Sequence, residues 1–135
     1  MAIQLSVAVR NARLDAIETT AGTSIRLKIR TGAQPATCAT ADSGTVLADI
    51  TCPADWAAAA SSGAKALSGS WADASADATG TAAHFRAYYS DNTTCFMQGT
   101  VTATGGGGDM TVDNTSFASG QSFTVTSFTL TDGNA

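Results

Sequence analysis

The sequence predicts a mainly β protein, an antiparallel β-sandwich or partly open barrel with one N-terminal α-helix. Three observations lead there. Helical periodicity is confined to residues 4–20, seven short β-type stretches follow between 24 and 131, and clusters of turn formers separate them. A chain of 135 residues suits one hydrophobic core. We therefore expect a single domain over 1–135, with the helix at 4–20 and the β-sandwich at 24–131.

Residues 4–20 carry apolar positions at three- and four-residue steps: Ile3, Val7, Leu14, Ile17 and Ala21, with Arg10 interrupting the stripe. Leu5, Val9, Ala12 and Ala16 widen the stripe, while Arg13 and Glu18 fall on the polar side. Ile3, Leu5, Val7 and Val9 also alternate as a strand would, but only the 3.6 period continues through Asn11–Glu18. Ser6 is a cap for a later start, and Gly22 is a natural stop. Past Gly22 the period becomes two. Ser24–Arg30 sets Ile25, Leu27 and Ile29 against Arg26, Lys28 and Arg30, a strand with one apolar and one cationic face.

Thr31–Gly44 reads as a loop carrying Pro35 and Cys38, and Thr45–Thr51 as the next strand. Pro53-Ala54-Asp55-Trp56 is expected to form a short helical turn with Trp56 in the core, and Ala57–Gly63 a connector. Further strands are expected at Ala66–Trp71, Ala82–Tyr89, Thr94–Thr102, Met110–Asn114 and Ser122–Thr131. Turns are expected at Thr79-Gly80, Ser90-Asp91-Asn92, Gly105–Gly108 and Ala118-Ser119-Gly120. The glycine run reads as a flexible hairpin tip. In the last strand Phe123 and Val125 share a face while Phe128 is out of phase, which calls for a bulge or burial on both sides.

Charge narrows the partners. The net charge of −4 argues against nucleic acid, whose phosphates require clustered Lys and Arg. Its distribution is polar: residues 1–30 hold five cations against two acids, while the rest hold Lys65 and Arg86 against nine acids. Such asymmetry suits self-association or docking on an acidic neighbour. No apolar run approaches the roughly 20 residues that span a bilayer, so no membrane is expected. Arg10, Arg13 and Asp15 break any secretion-signal core, which predicts synthesis in the cytoplasm. Cys38, Cys52 and Cys95, odd in number and widely spaced, are expected as small buried thiols rather than a disulfide framework.

Motifs for chemistry are missing. His84 is the single histidine and sits in an alternating strand, so a structural role is expected and no metal site. There is no Gly-x-Ser-x-Gly, Gly105–Gly108 is followed by Asp109 rather than Gly-Lys-Ser/Thr, and Glu18 is the single glutamate. These features predict neither an enzyme nor a cofactor, and no small-molecule substrate. Trp56, Trp71, Tyr88 and Tyr89 would build a sugar-stacking platform only if exposed, and two tryptophans more often fill a core. Ala, Thr, Ser and Gly supply 74 of the residues. Such short side chains lose little entropy when covered, so a surface made of them is cheap to bury against neighbours.

Several segments resemble a known family. Leu5-Ser6 with Val9–Glu18, Leu27–Ile29 leading to Thr31-Gly32, Pro53–Trp56, Ala66–Trp71, His84–Arg86, Gln98-Gly99 and Ser119–Gln121 are similar to small structural proteins of tailed bacteriophages. The resemblance covers most of the chain. It implies a non-enzymatic virion component, foremost a capsid decoration (cement) protein bound in many copies to the major capsid protein and to copies of itself. A neck, tail or fibre position, with receptor or glycan binding, is the alternative. The resemblance transfers no binding residues. On charge and pattern, the N-terminal segment is the expected docking element, with Arg10 and Arg13 pairing with capsid carboxylates and Arg26, Lys28 and Arg30 forming a second cationic face. The competing expectation is that this helix merely covers a sheet of its own domain.

Overall fold

A computed structural model describes residues 3–133; the ends of the expected 1–135 domain, 1–2 and 134–135, lie outside the described residues. Helix α1 spans Val7–Ala21. It starts three residues later than the apolar pattern because Ser6 caps it, its hydroxyl accepting from the Val9 N–H at 3.3 Å. Gly22, at φ +80°, ends it by donating its N–H to the Glu18 carbonyl.

Ten strands follow: β1 Arg26–Arg30, β2 Val46–Thr51, β3 Ala64–Ala66, β4 Ala72–Asp73, β5 Gly80–Thr81, β6 His84–Tyr88, β7 Cys95–Ala103, β8 Met110–Val112, β9 Ser116–Phe117 and β10 Phe123–Thr131. The main sheet runs β2-β1-β6-β7-β8-β10-β3, with β4 also on β10, and β5 pairs β9 separately. The fold is mainly β with one helix, as expected. The sheet curls without closing: beyond β4, the Asp77 N–H donates to the Leu47 carbonyl on β2 at 2.8 Å.

Five details differ from the sequence reading. The sheet is mixed rather than wholly antiparallel, because β7 and β8 pair in parallel, Val101 opposite Met110. Gly105–Gly108 is therefore a tight return, not a hairpin tip. A Cβ on Gly106 or Gly108 would press on Thr102, whose hydroxyl accepts the Gly108 N–H at 3.0 Å. The expected strand 66–71 does not form: only Ala66 belongs to a strand, β3, and the chain reaches β4 at Ala72 after Ser68 donates to the Trp56 carbonyl and Gly69 turns at φ +71°. Pro53–Trp56 bends without forming a helical turn, although Trp56 is fully buried as expected. Thr79-Gly80 is not a free turn, since Gly80 enters β5 opposite Phe117.

The core lies between the inner sheet face and the chain that crosses it. Leu27, Ile29, Ala48, Ile50, Phe85 and Ala87 line the β2-β1-β6 part, and Trp56, Trp71 and Phe128 fill the centre. Trp71 stacks on Phe128 at 5.2 Å between ring centroids, and Phe85 meets Phe128 edge-on at 5.7 Å. The out-of-phase Phe128 is brought inward by a register shift between Val125 and Ser127, the expected bulge.

Candidate functional site

Strand β6 is buried on both faces. Phe85 and Ala87 enter the core. His84, Arg86 and Tyr88 point the other way, opposite Arg30, Lys28 and Arg26 of β1. Three cations plus an arginine, a histidine and a phenol on one sheet face need cover and counter-charge. Residues 31–44 supply both by folding across this face as a flap. Pro35 is its buried contact, and its carbonyl accepts from the Gln98 side chain at 2.7 Å.

Asp42 is the hub of the cluster. Its Oδ1 accepts from the Tyr88 hydroxyl at 2.8 Å and forms an ion pair with Arg86 Nη1 at 2.8 Å, and its Oδ2 accepts from Arg30 Nη2 at 2.7 Å. Arg86, only 1% exposed, also donates to the carbonyls of Thr40 at 2.9 Å and Cys38 at 2.7 Å. A buried guanidinium is tolerable only when so fully engaged. His84 Nδ1 lies 2.8 Å from the Gly32 carbonyl, which can only accept, so the ring proton sits on Nδ1; Nε2 is buried without a partner. Burial, reinforced by the nearby Arg30 and Arg86 charges, holds the His84 pKa below its ordinary value. Tyr88 is pushed up to about 12, by burial first and then by its bond to the Asp42 carboxylate. Cys38 and Cys95 meet here, Sγ to Sγ at 2.9 Å, both half-buried and both free thiols. Cys52 lies elsewhere in the core, as expected of a small buried thiol.

This arrangement can neutralise charge and fasten a loop. His84 is bonded to a carbonyl rather than to a carboxylate or a nucleophile. Among the described residues, no three of His, Cys, Asp and Glu converge as a metal site would require.

The five cations expected at an interface have different fates. Arg30 is buried on Asp42, and Arg26 is paired with Asp49 at 2.7 Å. Lys28 sits 5.1 Å from the centre of the Tyr88 ring, a cation–π contact. Arg10 is half-buried and donates to the Asp132 carbonyl at 3.0 Å. Arg13 bonds the Asp132 carboxylate at 3.2 Å yet keeps 61% of its side chain exposed. Of the three residues expected to form a second cationic face, Arg30 is engaged by the flap, Arg26 by Asp49 and Lys28 by the Tyr88 ring, with Arg26 and Lys28 half-buried.

Helix α1 covers its own domain with one half and leaves the other bare. Leu14 and Ala21 are buried and Ile17 packs on the core. Asp15 and Glu18 clamp Lys65, itself buried, at 2.8 and 2.6 Å. The start differs: Ile3, ahead of the helix, is 86% exposed, and Val7 and Val9 in its first turn are 48% and 46% exposed. Those three are the exposed large hydrophobic residues among the described residues. Beside the helix lies an apolar groove of about 310 Å³ lined by Arg13, Ala16, Ile17, Thr20, Tyr89 and Phe96.

Neither indole nor Tyr88 offers a stacking face, since Trp56, Trp71 and Tyr88 are all essentially inaccessible. The sugar-platform reading fails on those side chains. Two features went unforeseen, the Asp42 hub and the Cys38–Cys95 pair; both arise from the flap, whose sequence shows no periodicity. No family model, no curated protein and no solved structure matches the chain.

Proposed function

We propose that this chain is a structural protein of a tailed-bacteriophage virion, a capsid decoration protein that docks on the major capsid lattice through its N-terminal segment. The observation that carries the reading is that the exposed large hydrophobic residues among the described ones, Ile3, Val7 and Val9, all fall within the first turn of the helix and the residues leading into it, with Arg13 one turn beyond Val9. Large apolar side chains left exposed within seven residues at one end of the fold favour a partner that covers them. The family resemblance supplies the class of partner, and the short-chained surface lowers the entropy of covering it. Each contact is small, and repetition on a lattice makes the set hold.

The test is occupancy on shells. Val7→Asp with Val9→Asp abolishes attachment while the melting temperature of the isolated domain stays unchanged. Arg13→Glu weakens attachment most at low salt. Arg10 is unsuitable for the same test, because it also anchors the helix to its own domain. Quantitative mass spectrometry of purified particles finds hundreds of copies if the site is the head lattice. A single ring of copies indicates neck or tail, and absence from particles removes the reading.

A further inference from the structure

Cys38 and Cys95 lie far apart in sequence, one on the flap and one opening β7, and their sulfurs are 2.9 Å apart. A disulfide requires about 2.05 Å, so closure needs a movement of less than an ångström. One side chain holds both partners in place. Arg86 donates through Nη2 to the Cys38 carbonyl and through Nε to the Cys95 sulfur at 3.4 Å. The thiols are half-buried rather than sealed, so a small reagent reaches them, whereas Cys52 is buried in the core.

We propose that Cys38 and Cys95 are a reversible oxidation site whose disulfide locks the 31–44 flap onto the sheet. The co-reactant is a low-molecular-weight disulfide such as glutathione disulfide. One cysteine thiolate attacks a reagent sulfur and breaks the reagent S–S bond, expelling one thiolate and forming a mixed disulfide. The second cysteine thiolate then attacks the protein-bound sulfur and expels the second. The cysteine pair is oxidised by two electrons and the reagent reduced by two, and the two thiol protons end on the two released thiols. Burial, followed by the adjoining Cys95, holds the Cys38 thiol up at about 11, so the exchange runs faster in mildly alkaline buffer than at neutral pH. The inference does not depend on where the protein docks.

The test uses the full chain, folded, with glutathione disulfide as the probe. Accessible plus buried thiols fall from three to one, and dithiothreitol restores them. Since Asp42 and Asp49 lie between Cys38 and Cys52 in sequence, cleavage at aspartate assigns the cross-link to Cys38 and Cys95. The chain-entropy constraint raises the melting temperature by roughly 10 °C. A Cys52→Ala variant behaves the same, while Cys95→Ser takes up glutathione at Cys38 without the thermal gain. Three persisting thiols, glutathione adducts without a cross-link, or a cross-link through Cys52 would each overturn the proposal. If Cys95→Ser does not fold, the wild-type peptide map decides alone.

Discussion

The Asp42 carboxylate and the Arg86 guanidinium meet at 2.8 Å across the interface between flap and sheet, and the same carboxylate also holds Arg30 and Tyr88. One acidic side chain thereby shares its single negative charge between two arginines that the sheet has withdrawn from water. Arg86 keeps two backbone carbonyls besides, so its burial rests on the flap as a whole.

Replacing that hub exposes the dependence. Asp42→Ala leaves Arg30 and Arg86 without a carboxylate and costs about 2–3 kcal/mol, less than a fully buried pair because Asp42 is partly solvated. Urea unfolding of the variant against wild type measures it. A loss below about 0.5 kcal/mol would show that the flap's carbonyls suffice.

Tyr88 gives an alkaline signature. Its folded-state pKa is raised to about 12 from 10.0. The unfolded chain releases the phenolic proton first, so this contribution to stability is complete below pH 10 and is lost as pH climbs through 12. In a Tyr89→Phe background, tyrosinate absorbance reports Tyr88 alone, with a midpoint near 12. A midpoint at the ordinary phenol value would remove the Asp42 bond.

On the acid side His84 contributes. Its pKa is depressed by burial from 6.5, so the folded chain resists protonation that the unfolded chain accepts. Stability from this source is present above pH 6.5 and declines as pH falls through the folded-state value. Imidazole NMR resonances titrating below the unfolded reference, with a falling urea midpoint, are the expected result. His84→Gln flattens that part of the profile.

Gly44 closes the flap at φ +74°, and a Cβ there would overlap the Thr31 carbonyl. Gly44→Ala must therefore shift the flap hinge, at a cost above about 1 kcal/mol. The expected readout is faster proteolysis within 31–44 while far-ultraviolet circular dichroism stays native. Cleavage at the wild-type rate would contradict it.

Local signals located much of this fold. Ser6 and Gly22 bracket α1 because capping is decided by adjacent residues. Alternation of Leu27 and Ile29 with the cations located β1, and the phase slip at Phe128 located the shift in β10. Where local pattern was absent, the sequence was mute. Strands β5 and β9 have two residues each, too few to display a period, and they exist because Gly80 and Phe117 are brought together by tertiary packing. The parallel β7–β8 pair follows from glycines packed on Thr102, a contact whose geometry no spacing encodes. The cationic alternation in β1 was visible, but its partners were not. Asp42 reaches Arg30 and Arg86 only through the path of an aperiodic loop.

Arg10 and Arg13 both reach Asp132, so the first half of helix α1 and the residues just after β10 meet at one pole, one helical turn from bare Val7 and Val9. A bulky label attached at Asp132 would sit beside that first stretch of the helix and crowd whatever it touches.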